Sequence, residues 1–178
     1  MNNLRILCLL PALFLFICTK AQYYNGRVRI DSADKSYVFQ ISDDPTITYI
    51  NTFYYWFKSG RIHQTQGAYY GKLLHGDYKV IDADRRLLEK GQFKKGIKMG
   101  RWLTWHNNGR IKSKLKPRIF GSGFNLKEYD SFGNIAKKGY LKNGLFTGKE
   151  FSYINDSLRV TYFKNGLQLD HKPSLFKK

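Results

Sequence analysis

Glycine recurs in register along this chain, and that recurrence constrains the fold more than any other feature. Gly67, Gly91 and Gly139 are separated by 24 and 48 residues, and Gly76, Gly100 and Gly148 repeat the same two intervals. Gly71, Gly96 and Gly144 follow at 25 and 48, and Gly109 and Gly133 are again 24 apart. Self-similarity at one period marks an architecture in which each unit buries a face on its neighbours. One unit runs from Gly91-Gln-Phe-Lys-Lys-Gly96 through Ile-Lys-Met-Gly100-Arg-Trp102-Leu-Thr-Trp105 to Asn108-Gly109-Arg-Ile111. Tyr78 and Ile81 occupy the columns of Trp102 and Trp105, and Phe151 and Tyr153 fit them with a one-residue slip.

Such a unit is a hairpin. Two aromatic-rich runs of about five residues have strand length, and each closes on a Gly-containing turn. Asn108-Gly109, Asn143-Gly144 and Asn165-Gly166 are the strongest turn signals, because primed turns need positive φ. A second glycine within the unit lets one hairpin approach the next or coil the sheet. A single hairpin is unstable in water, so the units must stack. The expected fold is therefore all-β: an elongated single sheet of tandem antiparallel hairpins, with turns near Gly60, Asp82 to Asp84, Gly109, Gly133 and Asp156. Partial units at Phe53–Ile62 and Tyr162–Leu167 extend the array. One unit departs from the pattern, with Leu115 and Phe120 where glycines are due, which predicts a distorted hairpin there.

The spacing Gly-x-aromatic-x-x-Gly-x-x-x-Gly-x-aromatic resembles MORN repeats, in particular their bacterial variant family, some members of which are labelled antitoxins. The resemblance covers about residues 53–167 and is carried most specifically by Thr65-Gln66-Gly67 and Gly71-Lys-Leu-Leu-His-Gly76. It implies a single elongated sheet used for protein–protein or membrane contact. The antitoxin label conflicts with an export signal and is not carried over.

That signal is the N-terminus. Arg5 precedes an apolar run, Ile6 to Cys18, too short to span a bilayer and of signal-peptide length. Thr19-Lys20-Ala21 predicts cleavage after Ala21, with acylation at Cys18 as the competing reading. Residues 22–52 form an N-terminal β cap, with strands at Ser36–Ile41 and Thr46–Ile50 around an Asp43-Asp44-Pro45 turn. The repeats occupy 53–168, and 169–178 is a basic tail. Both cysteines, Cys8 and Cys18, fall within the signal segment, so the mature chain has neither a disulfide nor a thiolate metal site.

Cleavage removes two of the 31 basic residues and no acid, which takes the formal charge from +18 to +16. A field of that size favours anionic partners. The partners expected are an envelope protein, or anionic lipid or acidic polysaccharide; nucleic acid is set aside for an exported chain. The candidate anion site is the alternating stretch Arg110, Lys112, Lys114, Lys116 and Arg118. If extended, it sets five cations on one face about 6.6–6.8 Å apart. Pro117 suggests an exposed edge strand, where the same charges would also block aggregation.

Nothing in the chain assembles a catalytic constellation, and no cofactor is expected. Glu89, Glu128 and Glu150 each sit beside a lysine, Asp43-Asp44 reads as a turn, and His63, His75, His106 and His171 lack metal-ligand spacing. Gly121-Ser-Gly123 is merely turn-like. Asp31-Ser32-Ala33 and Asp156-Ser157-Leu158 match a short bacterial O-glycosylation acceptor. Trp102, Trp105, Tyr78, Phe93 and Phe151 recur at repeat positions and are expected in the core. The function expected is a non-catalytic exported scaffold at the cell envelope, with electrostatic binding through the basic strand as the alternative.

Overall fold

The computed structural model describes residues 25–119, 123–154 and 157–172. The expected signal peptide with its cleavage point, the Asp156 turn and the last six residues lie outside them. The described residues hold thirteen strands and no helix. They are β1 (Asn25–Asp31), β2 (Lys35–Ser42), β3 (Phe53–Lys58), β4 (Arg61–Gln66), β5 (Lys72–Asp82) and β6 (Leu87–Lys94). These are followed by β7 (Ile97–Trp105), β8 (Ile111–Pro117), β9 (Phe124–Tyr129), β10 (Ile135–Lys142), β11 (Leu145–Ile154), β12 (Ser157–Lys164) and β13 (Leu167–Leu169). All pair antiparallel in one open sheet of order β1-β2-β5-β6-β7-β8-β9-β10-β11-β12-β13. From β5 onward each strand pairs with the next in sequence, as tandem hairpins require.

The array is not a plain meander at its start. β2 pairs with β5, for example Ser36 with Ile81, and the β3–β4 hairpin lies off the path. Phe53–Ile62 is thus not a repeat in line with the others. Two pairs, Trp56–Leu73 and Phe57–Lys72, tie β3 to β5, and from there the hairpin folds over one face of the sheet. Its backbone is clamped at Gly96: Tyr55 N–H donates to the Gly96 carbonyl at 2.8 Å, and Gly96 N–H donates to Leu74 O at 2.7 Å. The second cap strand is also corrected. Thr46–Ile50 is not a strand, and Ile47, Tyr49 and Ile50 are exposed. Ion pairs Asp43–Lys72 (3.2 Å) and Asp44–Lys95 (2.6 Å) instead pull this segment along the sheet end toward β3. The partner of β2 on its outer side is β1, where Val28 and Ile30 alternate with Arg27 and Arg29.

The core lies between hairpin and sheet. Phe39, Ile41, Leu74, Tyr78, Val80, Phe93 and Trp102 are buried, with Tyr55, Phe57 and Ile62 of the hairpin packed onto them. Tyr55 meets Phe93 at 5.1 Å, Phe57 meets Phe39 at 5.6 Å, and Phe93 meets Trp102 edge-on at 4.9 Å. A periodic glycine makes this packing possible: any side chain at Gly91 would fall inside the Trp102 ring on the neighbouring strand. The indole therefore lies flat over bare backbone, and its N–H donates to Met99 O at 3.0 Å. Tyr78, Phe93 and Trp102 are core as expected. Trp105 and Phe151 are only half-buried.

The turns follow their chemistry. Gly60, Gly109 and Gly133 lie in tight turns between strands, and so does the Asp82–Asp84 segment. In the unit lacking its glycines Leu115 pairs with Trp102 on one side and Leu126 on the other, while the register slips at Lys112; position 120 lies outside the described residues.

Candidate anion-binding face

The five-residue basic stretch does not form one row on an edge. β8 is an interior strand, with β7 on one side and β9 on the other. Pro117 is its last residue and stands opposite Phe124 of β9. The cations also separate. Arg110 lies in the β7–β8 turn and donates to Phe132 O. Lys112 falls in the bulge between the pairs Thr104–Ser113 and Trp105–Ile111 and lines a cleft on the hairpin side of the sheet. Lys114 and Lys116 point away from the hairpin, and the Arg118 guanidinium lies 4.3 Å from the Tyr140 ring.

What the fold builds instead is a row across the strands. Lys79 stands opposite Lys90, Lys90 opposite Leu103, and Leu103 opposite Lys114. Lys114 then faces Lys127, Lys127 faces Lys138, and Lys138 faces Lys149, whose own partner is Tyr162. Residues directly opposite one another in antiparallel strands share a face. Six lysines and Leu103 therefore make one transverse line over seven adjacent strands, β5 to β11. Val38 and Arg29 prolong it to the N-terminal edge.

The neighbouring row, one residue along each strand and hence on the opposite face, runs Glu89, Thr104, Ser113, Glu128, Lys137, Glu150. These three glutamates are the only ones in the chain. Strands β6 to β12 contain no aspartate within their bounds, so their acids all lie on the hairpin side; on the lysine face Asp77 of β5 stands two residues from Lys79 and opposite Gln92. The ion pairs Lys98–Glu89 (3.7 Å) and Lys137–Glu150 (3.5 Å) both belong to the glutamate side. Burial pushes the Lys98 ammonium below its ordinary value, against the pull of Glu89. Directly opposed like charges destabilise a sheet. The sequence nevertheless sets Lys79 against Lys90 and runs Lys114, Lys127, Lys138 and Lys149 in unbroken succession.

The glutamate side holds a cleft of about 580 Å³ lined by Tyr37, Leu88, Glu89, Trp105, Ser113 and Glu128. Its two carboxylates stand three strands apart, about 14 Å by strand spacing, too far to share a proton or a water. Thr104 and Ser113 satisfy one another at 2.7 Å. His106 bonds Tyr129 O at 2.9 Å, and His63 stacks on Trp56 at 4.3 Å. Among the described residues no group of three His, Cys, Asp or Glu side chains could hold a metal ion.

The transverse row escaped a reading along the chain, although the signal for it was present. Lys90, Lys114 and Lys138 repeat at 24 residues, the period of the glycines. Lys79, Leu103 and Lys127 share that period from the alternate strands. Compared with protein-family models, curated proteins and solved structures, the chain matches none.

Proposed function

We propose that this chain is a non-catalytic, exported binding module that docks onto an anionic partner, lipid headgroup or acidic polysaccharide, through the lysine-bearing face of its sheet. The single observation that carries the reading is charge segregation. Six lysines line up across seven strands on one face, while every glutamate of the chain is on the other. Repulsion between opposed lysines is relieved when an anion lies over them. The MORN-type assignment belongs to the same proposal and is supported by the glycine columns and the hairpin sheet. So is export, supported by the Ile6–Cys18 run.

The test is co-sedimentation with phosphatidylglycerol vesicles and with polygalacturonate beads, each at low and high salt. Wild type should bind at low salt and release as salt rises. The variant Lys114→Gln/Lys127→Gln/Lys138→Gln should bind weakly at either. Binding that ignores both salt and these lysines would sink the proposal. A second reading, a scaffold for an envelope protein, draws on the half-buried Phe146–Phe163 pair at 5.8 Å on the hairpin side of β11 and β12. That contact would persist at high salt and survive the lysine substitutions.

A further inference from the structure

The lysine row has a shape as well as a charge, and the shape distinguishes between anionic partners. At about 4.7–4.9 Å per strand, Lys79 and Lys149 lie about 29 Å apart along the row. Adjacent strands are rotated by about 20–25°, so the direction in which the lysines point turns through roughly 120–150° between β5 and β11. A flat headgroup plane meets only the few lysines that point one way. A flexible chain can follow the turn and meet them all.

The residues beside the row suit a sugar chain. Tyr129 and Tyr140 stand two positions from Lys127 and Lys138 on their strands, hence on the same face, and Tyr162 closes the row opposite Lys149. Each ring has a cation over one of its faces: Lys114 Nζ lies 5.4 Å from the Tyr129 centroid, Arg118 4.3 Å from that of Tyr140, and Lys149 Nζ 5.7 Å from that of Tyr162. A tyrosine face packs on the apolar side of a pyranose ring, and a neighbouring ammonium takes its carboxylate. Asn125, paired with both Lys116 and Tyr140, adds an amide for hydroxyl groups. The proposed export places this face among polysaccharides and away from nucleic acid. From this geometry we infer that the ligand of the lysine face is a linear acidic polysaccharide laid across the strands. Its carboxylates pair with successive lysines, and sugar rings rest on Tyr129, Tyr140 and Tyr162. This inference rests on the docking reading above.

Calorimetric titration of the mature protein tests it with oligogalacturonates of graded length, from the dimer to chains longer than the row. Phosphatidylglycerol vesicles and oligodeoxythymidylate of matched charge serve as comparison ligands. Affinity should rise with oligogalacturonate length until the chain spans the row, and then level. The variant K114Q/K127Q/K138Q should lose roughly tenfold or more for the long chains, with a shallower salt dependence. The variant K58Q/R61Q/R85Q, which removes the same charge elsewhere, should bind like wild type. Circular dichroism of both variants establishes that they are folded. Tight lysine-dependent binding of vesicles, with no length dependence for the sugar, would overturn the polysaccharide assignment and leave docking intact. Tighter binding of the oligonucleotide than of the sugar at equal charge would overturn it as well. If no ligand binds in a lysine-dependent way, the inference and the docking reading fall together.

Discussion

Trp102 and Trp105 stand three residues apart on one strand, yet they are used differently. Trp102 is 2% exposed, seated on the bare backbone of Gly91 and enclosed by Tyr78 and Phe93, whereas Trp105 is half-buried at the wall of an open cleft. Trp102→Ala should therefore cost about 3–5 kcal/mol, and Trp105→Ala clearly less, as thermal melts of the two variants would show. Tyr78 makes a second prediction at this scale. Burial pushes its phenol well above the ordinary value, so the folded state keeps a proton that the unfolded chain has already released. The stability this contributes is whole below about pH 10 and is lost as pH rises toward the folded-state value. Tyr78→Phe should flatten the alkaline fall in Tm relative to wild type. A variant that falls as steeply as wild type would assign that limb to other groups, Tyr55 first, whose phenol burial also raises.

The hairpin is the element in which sequence and structure meet most directly, and its second glycine shows why. Gly96 and Gly144 occupy the same repeat column, each with positive φ behind a positive-φ Lys95 or Asn143. A side chain at Gly144 would find only ordinary contact with Phe53, whereas one at Gly96 would press on Leu73 and the Tyr55 carbonyl. Gly144→Ala should lose only the backbone strain, about 1–2 kcal/mol. Gly96→Ala should lose more, because the β3–β4 hairpin is clamped there; urea denaturation of both variants checks the order. The tandem hairpins, their turns and the buried Trp102 column were legible because each rests on local chemistry repeated at a fixed period. The placement of β3–β4 over the sheet was not. Phe53–Lys58, aromatic at five of its six positions, has the strand character of the array, and only the tertiary contacts of Tyr55 with Phe93 and Gly96 move it off the path. The placement of the candidate site as a row on an edge strand failed for a related reason. Reading Arg110 to Arg118 along one strand found Lys114 and Lys116 but took the strand direction for the direction of the site. Register, which carries Lys114 to Lys127 and Lys138, emerges only when the strands pair.

At the scale of the whole molecule the sheet sets a row of six lysines on one face and its three glutamates on the other, and stability should respond. Lys127 is flanked by Lys114 and Lys138 in direct opposition. Lys127→Gln should accordingly stabilise by a few tenths of a kcal/mol, and moderate salt should raise the wild-type Tm by screening the same repulsion. A wild-type Tm insensitive to salt would show that the row is already neutralised within the chain. The pairing of β2 with β5 has a consequence in time. From β5 to β13 each contact waits only for the next short stretch of chain, so that part can zip up locally. The β1–β2 hairpin can also form locally, but it joins the sheet only through β5, residues 72–82, and closing that longer loop carries an entropic penalty the later hairpins avoid. In refolding of the full-length chain, docking of the β1–β2 hairpin with its Phe39 should therefore trail the burial of Trp102.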